Sequence, residues 1–396
     1  MLVGTLDTKG EELLFLKEIF LAAGASPTVV DVGVTCAGPF APDVARDEIA
    51  KMGGRSVEEL VRDNDRGKAV TTMQGGFATW AARNAASITG MLSIGGSGGT
   101  TIATAGMRVL PVGVPKLMVS TLASGHTRAF VGTSDICMMY SVADFSGLNT
   151  LTRAILTNAA HAMLGMTGLR KPSRSAGDTR LIAATMYGVT TPCVNNIRDA
   201  LRKSGFELLI FHANGAGGQA MEQLIRDGFV IGVLDVTTTE LADELVGGAF
   251  SAGPDRLEIA GKLGIPQVLS VGALDMVTFG ARATVPEKFG ERAFWAHNEN
   301  VTLMRTSPDE NAELGRIIAR KAAAAIGPVT IVLPLKGLSA MDAPGHPFHD
   351  PRANERLFQA IREFAPPPVR VLEVDAHIND PVFAERLVTE FLTITG

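Results

Sequence analysis

The sequence predicts an α/β protein of two Rossmann-like, doubly wound domains with mostly parallel sheets, and three observations carry that prediction. Short apolar runs alternate with helix-length amphipathic segments along most of the 396 residues, the pattern of βα units that build a parallel sheet. Glycines, 43 in all, fall repeatedly just after the apolar runs, where a strand must turn sharply into a helix. The series also restarts after a polar stretch, Lys-Pro-Ser-Arg-Ser-Ala-Gly-Asp-Thr at 171–179. We therefore expect a first domain over 1–171, a linker over 172–179 and a second domain over 180–396.

Composition narrows the function. Charged residues make up 19% and hydrophobic ones 46%, which describes a chain able to fill full cores. The net charge is −5 with scattered basic residues, unlike the footprint of a nucleic-acid binder. No apolar run reaches the length of a membrane span, and no signal-peptide pattern opens the chain. Cys36, Cys137 and Cys193 have no CxxC spacing and read as core filler in a reducing compartment. The expectation is a cytoplasmic protein with neither nucleic-acid nor membrane partners.

In order, residues 2–4 leave room for only a short first strand. Thr8 reads as a helix N-cap with Glu11 as its capping-box partner, and Leu13, Leu16, Ile19 and Phe20 mark the buried face. Further strands are expected at 26–34, 91–94, 115–121 and 134–142, with helices over 68–84, 100–109 and up to about 166. The Gly75-Gly76 pair inside the 68–84 segment signals a kink or close packing. In the second half, strands are expected at 180–187, 206–212, 230–236, 265–271, 301–305, 328–334 and 368–374. Helices follow at 194–204, 219–227, 241–246, 309–325 and 380–392.

The richest chemistry lies at Gly95-Gly96-Ser97-Gly98-Gly99-Thr100, between a buried strand and a helix. Glycine allows a ligand to approach the backbone, and the helix start offers unsatisfied N–H groups at its partly positive end. That combination makes a phosphate or carboxylate cradle. It is neither a P-loop nor GxGxxG. Gly4, Thr5, Asp7, Thr8 and Lys9 lie at the carboxyl end of the first strand, where open α/β sheets bind ligands. Lys9 is suited to a phosphate and Asp7 to Mg²⁺ or to helix capping. Ser120, Thr121, Ser124 and Gly125 follow another strand, and Asp144 is a second Mg²⁺ candidate. In the second half, Asn214-Gly215-Ala216-Gly217-Gly218 is a second glycine turn that could hold an anion. Asp235, Thr238, Glu240, Arg305 and His346 are candidates for contacting a substrate.

Eight motifs identify a family resemblance: GTLDTKGEEL (4–13), SIGGSGGT (93–100), STLASG (120–125), DVTTTELADELVGG (235–248), SAGPDRLE (251–258), GALDMVTFG (272–280), HNENVTLMRT (297–306) and INDPVFA (378–384). Together they resemble the family of proteins similar to the N-terminal, ATP-binding inhibitory domain of the tomato mosaic virus resistance protein. The resemblance implies two Rossmann-like domains, ATP bound through the first, and self-association. It implies no established reaction.

The resulting expectation is an ATP-binding protein, with Mg²⁺, acting as an enzyme on an unknown small molecule held between the domains, in a homo-oligomer. The alternative is a nucleotide-binding sensor or inhibitor that grips another protein without substantial turnover. A third is a sugar- or acid-phosphate enzyme without ATP, since a glycine cradle selects an anion and not adenine. An NAD enzyme fits worst, because the glycine spacing and the ribose-binding acid are both missing.

Overall fold

In β1 (Leu2–Gly4), Leu2 and Val3 are both fully buried yet belong to two different apolar cores. Alternation of side chains across a strand produces this when helices cover both faces of a sheet. Met91 and Leu92 repeat the division, as do Met118 and Leu117. The computed structural model describes residues 1–168 and 180–396, so the expected linker at 172–179 lies outside the described residues. The chain divides into two compact units, Met1–Ser173 and Arg174–Gly396.

The first unit runs β1, α1 (Leu6–Ala22), β2 (Val29–Asp31), α2 (Arg46–Met52), α3 (Val57–Asp63), α4 (Arg66–Asn84), β3 (Met91–Gly95), α5 (Ser97–Arg108), β4 (Lys116–Ser120), α6 (Arg128–Val131), β5 (Cys137–Tyr140) and α7 (Thr150–Gly168). Its sheet is wholly parallel in the order β2-β1-β3-β4-β5. Residues of α1 and α7 share one core, and residues of α4 and α5 the other.

The second unit runs β6 (Arg180–Met186), α8 (Thr191–Lys203), β7 (Phe206–His212), α9 (Ala216–Arg226), β8 (Gly232–Thr237), α10 (Glu240–Val246), α11 (Ile259–Lys262), β9 (Gln267–Gly272), β10 (Met276–Phe279), β11 (Phe294–Asn298), β12 (Val301–Arg305), α12 (Pro308–Ala323), β13 (Val329–Pro334), α13 (Pro351–Phe364), β14 (Arg370–Val374) and α14 (Pro381–Thr395). Its main sheet is also parallel, ordered β14-β13-β9-β8-β6-β7. Leu269 and Ile331 pack with α12 and α13, whereas Val268 and Val332 pack with α8 and α14. Both units are therefore doubly wound α/β structures with mostly parallel sheets.

Several local expectations change. Residues 301–305 do not join the main sheet; β12 pairs antiparallel with β10 and β11 in a separate three-stranded sheet. Only Glu299 and Asn300 separate β11 from β12, and a two-residue link closes a hairpin but never a parallel crossover. Helix α13 lies where the sequence reading assigns no element. Helix α1 begins at Leu6 with Thr5 as N-cap, so Thr8 is not the cap; its hydroxyl instead shares a 2.7 Å hydrogen bond with that of Thr5. Helix α5 begins at Ser97, three residues before the expected start, and its Thr100 N–H donates to Gly96 O at 2.9 Å. Of the cysteines expected in the core, Cys193 is buried, but Cys36 and Cys137 are exposed. No described helix is long and apolar enough to cross a membrane.

Candidate functional site

The first unit's chain leaves β1 for β2 on one side and later crosses to β3 on the other. Connections from the carboxyl ends of β1 and β3 therefore run to opposite sides, and the crevice at such a switch point is where open α/β sheets bind ligands. A cavity of about 570 Å³ lies there. It is lined by Thr5, Asp7, Thr8 and Lys9 after β1, by Gly95 to Gly99 where β3 turns into α5, and by Asn64, Asp65 and Arg66 at the start of α4. The N-termini of α1, α4 and α5 thus meet at one cavity. Each leaves its first N–H groups without intrahelical acceptors and contributes a partial positive charge.

Glycine has a specific use on the α5 side. A Cβ on Gly95 would come within 3.0 Å of the Gly99 Cα, so the strand can turn this tightly into the helix only without one. At Gly96 and Gly98 the nearest atoms to such a Cβ are 3.7 and 3.4 Å away. Those two positions are open, and their bare backbone faces the cavity. An apolar wall completes the lining: Val32, Val34, Leu60, Val70, Met73 and Ile102.

The predicted residues separate into two groups. Thr5, Asp7, Thr8, Lys9 and Gly95 to Gly99 all line the cavity. Asp7 uses one oxygen, Oδ2, to accept from Val34 N (3.0 Å), Thr35 N (2.8 Å) and Thr35 Oγ1 (2.5 Å). Among the described residues no donor reaches its Oδ1. Lys9, at a non-helical kink in α1, donates from Nζ to Phe145 O at 2.7 Å. The second group does not line the cavity. Gly4 is a packing glycine whose Cβ would strike Leu13 Cδ1 at 2.5 Å. The buried Thr100 and Ser120 hydroxyls bond each other at 2.7 Å, and Leu122 N donates to Ser120 Oγ at 3.0 Å. Thr121 flanks Gly96, while Ser124 and Gly125 are exposed beyond the strand end. Asp144 is exposed next to the carbonyl that receives Lys9. Among the described residues no three His, Cys, Asp or Glu side chains cluster in a metal-binding arrangement.

Sequence reasoning did not single out the α3–α4 turn. Asn64 there adopts a left-handed conformation (φ 49°), and Asp65 caps α4 by accepting from Lys68 N at 3.0 Å. The Asn-Asp pair before a helical stretch was the available signal. Asp31, at the end of β2, holds the β1–α1 turn through Leu6 N (3.0 Å) and Gly33 N (2.8 Å). Burial raises its carboxyl above the ordinary range, against those two hydrogen bonds.

The candidates of the second unit fare differently. The glycine turn after β7 already holds an anion supplied by the chain itself: Glu240 Oε1 accepts from Gly215 N at 2.7 Å and Gly218 N at 3.0 Å. Its other oxygen accepts from Arg256 Nε at 2.7 Å, and Arg256 also grips both oxygens of Asp235 at 2.6 and 2.8 Å. Burial opposes the charge on Arg256, but Asp235, Glu240 and Glu222 hold its pKa well above the usual value. Asp235 and Glu240 are buried members of this network, so neither is presented to a substrate. Thr238 is buried and donates to Ser270 O at 3.0 Å. Arg305 is 6% exposed and donates to Phe348 O, Thr306 Oγ1 and Asn354 Oδ1 at 2.7–2.8 Å. Of the five candidates only His346 is exposed.

Known proteins match the whole arrangement. The N-terminal domain model of an uncharacterised protein family, UPF0261, matches residues 1–172, and its C-terminal domain model matches 179–395. A UPF0261 protein of Clostridium tetani is 48% identical over 397 residues, covering 100% of this chain and 98% of that protein. The ToMV resistance protein Tm-1(GCR237) of Solanum lycopersicum is 40% identical over 418 residues, covering 99% of this chain but 55% of the tomato protein. The ToMV susceptible protein tm-1(GCR26) of the same plant is likewise 40% identical, so likeness to these proteins carries neither trait by itself. Matched along both units by the family's two domain models in order, the chain belongs to the uncharacterised protein family UPF0261.

Proposed function

We propose that the cavity of the first unit binds ATP with Mg²⁺, and that the protein uses the nucleotide in chemistry on a second small molecule. The observation that carries this reading is the meeting of three helix N-termini on a cavity at the β1/β3 switch point. Unsatisfied amides of Ser97, Gly98 and Gly99 are suited to phosphate oxygens. The apolar wall suits a planar base, and about 570 Å³ is ample for a nucleotide-sized ligand.

Charge favours the metal. Lys9 and Arg66 balance Asp7 and Asp65 among the lining side chains, so a triphosphate needs a further cation. Mg²⁺ keeps several waters and takes one or two carboxylates plus phosphate oxygens. The donor-free Oδ1 of Asp7 fits that requirement. Self-association and a cytoplasmic setting belong to the same proposal; sedimentation of the purified protein tests the first.

One observation favours a second reading, a nucleotide-dependent sensor or inhibitor. Among the described residues lining the cavity there is no histidine, cysteine or glutamate, and Asp7 already accepts three hydrogen bonds. A general base or nucleophile beside the phosphates is therefore not evident.

Calorimetric titration with ATP, with and without Mg²⁺, tests the proposal. A Cβ has room at both positions, and the Gly96→Val/Gly98→Val variant, its fold checked by circular dichroism, is expected to lose saturable binding. Binding unchanged in that variant, or absent from the intact protein, would remove the ATP reading. Phosphate release in the same samples separates enzyme from sensor.

A further inference from the structure

We infer that Arg66 grips the anionic end of the ligand in the first unit's cavity, so that phosphate charge and not the base alone selects the ligand. This rests on the nucleotide reading of that cavity. Arg66 lines the cavity on the side of α4, and its Nη2 lies 4.0 Å from where a Cβ on Gly98 would stand. The guanidinium therefore lies beside Gly98 of the glycine cradle. Its planar fork matches a phosphate with two parallel hydrogen bonds.

Three features favour this role for Arg66. It is exposed, yet among the described residues it has no hydrogen-bond or ion-pair partner. The other cation of the cavity, Lys9, is already engaged by Phe145 O at 2.7 Å. Arg66 is also the first residue of α4, a helix with no acidic residue in its first turn. A cation there meets the positive end of the helix dipole. The Asp65 cap answers that end of the helix and lies 3.9 Å from Lys68, but no carboxylate is paired with the Arg66 guanidinium among the described residues. An arginine without an acidic partner beside a cavity is the kind of feature found where a chain meets its ligand. An anion between Arg66 and residues 97–99 gives the guanidinium its partner and ties α4 to α5.

The test uses the full chain and three probes by calorimetry in Mg²⁺ buffer: ATP, adenosine and inorganic pyrophosphate. Losing a charge-assisted hydrogen-bond pair corresponds to roughly a 10- to 100-fold loss of affinity. Arg66→Ala is expected to weaken ATP and pyrophosphate by that factor while leaving adenosine within about twofold. Arg66→Lys restores part of the loss, and Lys68→Ala, outside the cavity lining, leaves all three probes unchanged. Without ligand, Arg66→Glu raises the melting temperature, because it places an acid at the helix's positive end.

Undiminished ATP affinity in Arg66→Ala overturns the inference and leaves the nucleotide reading standing. Loss of adenosine together with ATP also overturns it, since that marks collapse of the cavity. Arg66-dependent binding of pyrophosphate without ATP binding supports the inference and ends the nucleotide reading. Binding of no probe by the intact protein ends both.

Discussion

Asp275 is fully buried at the end of β9, where its Oδ2 accepts from Ser339 Oγ at 2.7 Å and its Oδ1 has no recorded partner. Burial, reinforced by the neighbouring Asp342 carboxylate, pushes its pKa from 3.8 up to about 7. Asp243 is raised to about 7 as well, again chiefly by burial. Between these values the native state keeps protons that the unfolded chain has released, so stability falls as pH rises. The contribution is fully present below about pH 4, declines through the window, and is lost above about 7. The melting temperature of the second unit is therefore expected to drop between pH 5 and 8, and the Asp275→Asn variant to show a shallower drop. Equal slopes in the two proteins would mean that Asp275 ionises normally. The polarity of these strand ends was legible in the sequence. What each carboxylate faces was not, because Arg256, Ser339 and Asp342 reach their partners from 16 to 67 positions away along the chain.

At the scale of elements, Gly75 and Gly76 look alike in the sequence and differ completely in the structure. A Cβ on Gly76 would lie 2.0 Å from Ile49 O, where α4 crosses α2, whereas one on Gly75 meets nothing within 4 Å. The pair marks close packing and not a kink, since α4 runs unbroken across it. Gly76→Ala is expected to destabilise by about 1–3 kcal/mol through overpacking, and Gly75→Ala to stabilise by about 0.5–1 kcal/mol through helix propensity. Denaturant melts of the two variants check the contrast; two changes of the same sign would refute it. Helix α13 was legible in principle, since Ala353, Leu357, Phe358 and Ile361 recur on one buried face. It was overlooked behind the proline- and histidine-rich loop at 342–350. The hairpin β11–β12 was missed for another reason: most of β11 is exposed, and its apolar run is short, ending at Ala296 before the polar His297-Asn298.

Seen whole, each unit places its second strand beside the first and then crosses to the other side for the third. The alternation of strand and helix in the sequence yields the class. It does not yield this order, which depends on the side each crossover takes. Nor could it distinguish the two glycine turns, one opening on a cavity and the other occupied by the chain's own Glu240. That occupied turn makes Glu240 a tethered ligand at very high effective concentration. Cutting the tether turns an internal contact into a receptor for a free molecule. Glu240→Ala is expected to cost about 3–5 kcal/mol, because part of a buried ion network is left uncompensated. Formate at tens of millimolar, small enough to take the carboxylate's place, is expected to recover part of the lost melting temperature by mass action, while chloride at equal ionic strength does not. Such chemical rescue would convert a structural residue into a measured anion affinity. A variant indifferent to formate would show that the vacated hole closes on itself.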